Sequence, residues 1–286
     1  MPRIDGPLRG VLLALGAMLL FSSSDATSKV LASGGLPSVE IAWLRYVVFV
    51  LVAAPGAWRA GISSARPGAQ TLRGTALVIS GVAFIAGLRS LPLADATAMG
   101  FASPLFIVAL AIPVLGERVG VRRWAAVIIG LAGVLIVVRP GTAAFRPAAI
   151  LPVASAAAWA VAMVTTRRIA ATERPATTLF WTAASGLLVL SVMLPWDFIW
   201  PTPRQLALGA LLGLVASGGQ WLVLLAYRHA NASLLAPLSY SQLLWSTTYG
   251  VLLFGAVPDG WTLTGAAVIV GAGLAVAPEA RRRPAG

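Results

Sequence analysis

Across 286 residues, 58% are hydrophobic and only 10% charged, with a mean hydropathy of +0.87; this balance excludes a soluble globular domain and describes an integral membrane protein. The formal net charge is +12, yet the bases punctuate apolar segments instead of clustering among polar or aromatic readers. That argues against nucleic acid as a partner and for anionic membrane lipid at the interfaces.

A helix needs about 20 mainly apolar residues to cross the hydrocarbon core of a bilayer. Windows of that kind, bounded by Arg, Pro and Gly, predict ten spans at residues 9–31, 38–57, 71–90, 95–115, 121–138, 147–168, 176–195, 205–227, 232–254 and 261–278. Little chain remains for a soluble domain. Arg3 and Arg9 precede the first apolar run as in a secretory signal, but the rest of the chain is equally apolar. Span one is therefore expected to be its own uncleaved insertion signal.

Span one turns polar at SSSDATSK, residues 22–29. Ser22, Asp25 and Lys29 fall at i, i+3 and i+7, on one helix face, with Ser24 beside them. Ionised groups at that depth need a partner or water. Either Asp25 and Lys29 form an i,i+4 ion pair with Lys29 snorkelling outward, or both face a cavity where Asp25 could exchange a proton. Arg45, inside span two, needs a partner for the same reason and reads as a structural or gating charge. Span four offers Met99, Phe101 and Ser103, followed by Pro104; this proline, Pro113 and Pro237 are candidate bending points. Glu117, after span four, reads as a structural or gating charge, as Lys29 also can, or, beside Arg118, Arg122 and Arg123, as part of a solvated interfacial cluster.

GLAG at 130–133 and GAG at 271–273 suit close helix packing. In span six Ser155, Trp159, Met163 and Thr166 form one stripe, and in span eight Ser217, Gln220, Leu224 and Tyr227 form another. Span nine is the richest, with Tyr240, Gln242, Trp245, Ser246, Thr248 and Tyr249. Such side chains either hold helices together or line a cavity. As a lining they would offer aromatic faces and neutral hydrogen-bonding groups, which suit amphipathic zwitterions better than phosphates.

With a cytoplasmic N-terminus, 15 of the 21 basic residues fall on inside segments, so both termini are expected to be cytoplasmic. At a constant offset of 139, Lys29 falls on Arg168, Gly74 on Gly213, Arg89 on Arg228 and Gly116 on Gly255. Two five-span units result, 1–141 and 142–286. Five is odd, so the second unit enters the membrane from the opposite side. The linkers agree: RVGVRR at 118–123 is basic, whereas its counterpart AVPDGW at 256–261 has no base. Inverted repeats are the architecture of carriers that expose a central site to each side in turn.

The segments PLFIVALAIPVLGERVGVRRWAAVIIGLAGVLIVVRPG (104–141) and APLSYSQLLWSTTYGVLLFGAVPDGWTLTGAAVIVGAGL (236–274) resemble the two halves of EamA-type carriers of the drug/metabolite transporter superfamily. Leu115 to Glu117 and Arg45 are the more specific points of similarity, and Ala256 departs from the pattern where an acid is common. The resemblance implies an all-α basket of ten transmembrane helices around a central cavity lined by spans 1, 3, 4, 6, 8 and 9. It also implies transport of small metabolites in a bacterial inner membrane, most similarly to exporters of amino acids, aromatic ones included. Multidrug or nucleoside-type carriage, outward or inward, is the alternative. No cofactor or metal is expected: one histidine, no cysteine and singly scattered acids give no convergent set for an intramembrane enzyme.

Overall fold

The computed structural model describes residues 6–116, 120–142, 145–169, 172–229 and 236–276. Among them all regular structure is helical: α1 (Gly6–Ser33), α2 (Ser38–Ala60), α3 (Pro67–Leu88), α4 (Leu93–Gly100), α5 (Ser103–Leu115), α6 (Val121–Val138), α7 (Ile150–Ile169), α8 (Pro175–Met193), α9 (Pro203–His229), α10 (Ser241–Phe254) and α11 (Gly260–Val276). Among the described residues seven stretches, including α4 and α5 taken together, are long and apolar enough to cross a bilayer. The apolar parts of α6 and α11, Val127–Val138 and Gly260–Ala272, are shorter.

Local chemistry sets the helix ends. Pro67 and Pro175 open α3 and α8, where their missing N–H costs no hydrogen bond. Gly116 and Gly255 close α5 and α10 in the left-handed conformation, at φ 68° and 61°. Asp259 caps α11, its carboxylate accepting from Thr262 N at 2.8 Å and pairing with Arg139 at 2.7 Å.

Pro104 and Pro237 coincide with interruptions, whereas the helix runs through Pro113. Span four breaks at Phe101 and Ala102, where Ala102 N bonds Met99 O as in a tighter turn. Pro104 explains the break, since it can neither donate to the preceding turn nor fit its ring there. Span nine begins its described part as the 3₁₀ helix Ala236–Tyr240 before α10. The two breaks differ by the repeat offset, Phe101 against Tyr240, and these rings touch at 5.1 Å between centroids.

Packing obeys the same offset. The most extensive pairings are α1 with α9 and α3 with α7, which exchange under the repeat. The pairs α2–α9 and α3–α8 exchange likewise, while α2–α8 and α6–α11 map onto themselves. At the α3–α7 crossing Ser80 and Ser155 share a hydrogen bond of 3.0 Å. Their counterparts in α9 and α1 are Gly219 and Gly16. Where one crossing has paired hydroxyls, the other has Gly219 making room for the Phe21 ring and Gly16 lying against Leu222.

At the α6–α11 crossing glycines let the helices approach closely. A Cβ on Gly133 would meet Ile269, Val268 and the Gly265 carbonyl, and one on Gly265 would meet Val137 and the Gly133 carbonyl. The close partner of the GLAG segment is therefore Gly265, not Gly271, where a Cβ would meet nothing within 4 Å.

The loops at the two ends tie the halves together. At one end Glu173 accepts from Ser64 Oγ at 2.7 Å and Arg66 N at 2.9 Å, and Trp181 Nε1 donates to the Ile62 carbonyl at 2.8 Å. At the other, Ile199 N donates to Glu40 at 3.2 Å and Gln205 Nε2 to the Gly34 carbonyl at 3.3 Å. The Ser64 hydroxyl is the main cause holding the Glu173 carboxyl below its usual range, with the Arg66 amide adding to it.

Gly133→Leu or Gly265→Leu is expected to destabilise the fold by roughly 1–3 kcal/mol through overpacking, measured as a lower thermal unfolding midpoint, while Gly271→Leu leaves it unchanged. The depressed Glu173 pKa means its contact with residues 61–66 is present at neutral pH and lost as pH falls through that value, below the ordinary 4.5. Hydrogen exchange of residues 61–66, corrected for intrinsic pH dependence, should accelerate over that window in wild type and show no such step in Glu173→Gln.

Candidate functional site: a charged layer at one level of three helices

Hydrocarbon supplies no hydrogen bonds, so each polar side chain in a span must find its partner in the protein. Ser22 does so with Ser246 across α1 and α10 at 3.0 Å, and Thr97 of α4 donates to Ser246 at 3.1 Å. All three are buried. On the neighbouring face of α1, Ser23 bonds its own Leu19 carbonyl at 2.8 Å and the Tyr249 hydroxyl at 2.7 Å. These hydroxyls join α1, α4 and α10.

One turn further along α1, Asp25 is half-buried and accepts from Gln242 Nε2 at 2.9 Å. Arg45 of α2 is the cation whose charge acts on it. Asp25 lies eight residues before the end of α1, Arg45 seven after the start of α2 and Gly81 seven before the end of α3. At 1.5 Å per residue these positions share one level, about 10–12 Å inside the same end of the bundle. Gly81 makes room there, since a Cβ would collide with the Arg45 guanidinium. Arg45 also lies over the Tyr46 ring at 5.6 Å.

Lys29 is not the ion-pair partner of Asp25. Its Nζ donates to the carbonyls of Leu88, at 3.1 Å, and Leu91, and it lies 5.3 Å from the Phe254 ring centroid. Carbonyls at the end of α3 lack intrahelical donors, and a cation at a helix C-terminus also complements the dipole. Arg89 and Arg146 serve the same turn region, donating to Leu36 O at 2.7 Å and Ser90 O at 2.6 Å. Arg73 lies inside α3 and is buried; it donates to Thr166 of α7 at 2.7 Å and to Thr182 of α8.

The remaining candidates divide by environment. Met99 belongs to an apolar core with Leu105, Val134 and Ile269. Ser24 is buried, and Ser217 is buried with no partner for its hydroxyl among the described residues. Ser103, Met163 and Gln220 are half-buried. Trp159 and Trp245 are each more than a third exposed, at 38% and 36%. Glu117 lies outside the described residues. Sequence reasoning missed Thr97, Ser23 and Gly81. Thr97 was findable as a lone hydroxyl in the small-residue run LADATAMG, whereas Ser23 lies off the chosen helical face and Gly81 has no local signal.

Comparison with known proteins gives this geometry a context. The model of the EamA-like transporter family matches twice, at residues 8–139 and 146–277. A riboflavin transporter of Rhizobium johnstonii is 34% identical over 86% of this chain and 83% of its own. An S-adenosylmethionine uptake transporter of Rickettsia prowazekii is 28% identical over 93% and 92%. A pseudopaline exporter of Pseudomonas aeruginosa is 30% identical over 93% and 95%. A solved crystal structure aligns with 96% of this chain and 98% of its own at a TM-score of 0.62 and 25% identity.

Proposed function

The chain belongs to the EamA-like transporter family, and on that premise we propose that it exports amino acids or similar small amphipathic metabolites across a bacterial cytoplasmic membrane by alternating access. It is a membrane transporter of metabolites, not an enzyme. In this reading it has ten spans, both termini are cytoplasmic, and the units 1–141 and 142–286 are the two inverted halves. The substrate occupies the level of Asp25 and Gln242, between the breaks of spans four and nine.

The observation that carries this reading is the Asp25–Gln242 contact of 2.9 Å, formed inside spans of both halves. A carboxylate in a span is costly unless the protein uses it, and such groups usually mark a transport pathway. Phe101 and Tyr240, touching at the paired breaks, provide aromatic surface that two rearranging halves can open or close. Trp159, Met163, Ser103 and Gln220 are the further lining candidates.

The names of the relatives favour a second reading. A riboflavin carrier and an S-adenosylmethionine uptake carrier align along most of this chain, which supports nucleoside-like substrates and inward movement. Alternating access is reversible, so one site serves either direction according to the gradients.

Counterflow of radiolabelled substrates in proteoliposomes tests carriage. Saturable exchange is expected for at least one of an amino-acid panel, riboflavin and S-adenosylmethionine; none at all would count against the proposal. Gln242→Ala is expected to weaken apparent substrate affinity about tenfold or more, the scale of a hydrogen bond to a charged group, with folded yield retained. Trp159→Ala should also slow transport. If Asp25 handles a proton, Asp25→Asn abolishes the pH dependence of transport.

A further inference from the structure

Arg45 has no structural task that the described residues reveal. The other cations set deep in the bundle are engaged: Lys29 by the Leu88 and Leu91 carbonyls, Arg73 by Thr166 and Thr182. Arg139, at the end of α6, pairs with Asp259. The Arg45 guanidinium makes no hydrogen bond or ion pair among the described residues; its only ring contact is with Tyr46. A permanently charged fork of five donors, about 10 Å inside a span, lacks the acceptors that such a group requires.

Its surroundings keep it that way. Gly81 leaves the space into which the guanidinium fits. Asp25, the nearby opposite charge, is held by Gln242 from α10 and does not close onto Arg45 in a direct pair. Two opposite charges at one level are therefore kept apart, each with hydrogen-bonding capacity left over. Asp25 uses one carboxylate oxygen on Gln242, and the Gln242 amide oxygen has no donor among the described residues.

Resting on the transport reading above, we infer that Arg45 is a specificity-determining residue that binds the carboxylate of a zwitterionic substrate, with Asp25 opposite it binding the ammonium group. Arginine matches a carboxylate with two parallel hydrogen bonds and cannot lose its charge to burial, which lysine can. A zwitterion inserted between the two side chains meets both charges at once and leaves the site neutral. The rest of the substrate then lies against the aromatic and thioether side chains of the lining.

The test uses the full chain in proteoliposomes. Radiolabelled tryptophan counterflow is competed by tryptophan, by tryptamine, which lacks the carboxylate, and by indole-3-propionate, which lacks the ammonium. Wild type should prefer tryptophan to either analogue by about tenfold or more, the worth of a charged hydrogen bond. Arg45→Gln should erase the preference over tryptamine and keep that over indole-3-propionate; Asp25→Asn should do the reverse. Should Arg45→Gln not fold, Arg45→Lys keeps the charge without the fork and should still lose part of the preference over tryptamine. Weakening of all three compounds alike in the Arg45 variants, or an undiminished preference, overturns the inference. Counterflow of riboflavin with no affinity for any zwitterion also overturns it while leaving carriage intact. No counterflow of any compound removes carriage itself, and the inference with it.

Discussion

A lipid-embedded chain cannot leave hydrogen-bonding groups to water, and this constraint orders the whole molecule. Ser22, Thr97 and Ser246 satisfy one another across three helices; Ser80 and Ser155 do so across two. Lys29 and Arg73 are absorbed by helix-end carbonyls and threonine hydroxyls. Beside these engaged groups, Asp25 and Arg45 stand out as charges only partly used by the fold. The proposed function is placed at these groups.

The repeat explains why the incompleteness lies in one place. Helix pairings, the paired breaks at Phe101 and Tyr240, and the left-handed caps at Gly116 and Gly255 follow the offset of 139. The charged layer does not. Asp25 corresponds to Val164, Arg45 to Ala184 and Gln242 to Ser103. Duplication supplies the two-sided scaffold, and these positions differ between its halves, which gives the proposed site a distinct polar side.

Much of the helical layout was legible because apolar length is a local property. The window 121–138 coincides with α6, and the window 205–227 lies within α9. The break of span four was legible through Pro104, but the equal standing of Pro113 was not, since a helix interior tolerates a proline whose freed carbonyl is accommodated. For the candidate site residues, the polar side chains within spans were legible and their partners were not. Helical spacing placed Asp25 within reach of Lys29, whereas α10 brings Gln242 to Asp25 across 217 positions and α3 brings the Leu88 carbonyl to Lys29 across 59. The burial of Arg73 was not legible for a related reason: its hydroxyl partners come from α7 and α8, and only their approach makes a buried guanidinium tenable.

The central claim is that the level of Asp25, Arg45 and Gln242 is reached from either side of the membrane in turn. The absence of native cysteine makes this directly measurable, since a single Gln242→Cys change introduces the only thiol. A membrane-impermeant thiol reagent is applied to right-side-out and to inside-out vesicles, with and without substrate. The account predicts labelling from both sides, slowed by a transported substrate. Labelling from neither side, or labelling indifferent to every transported substrate, would contradict it.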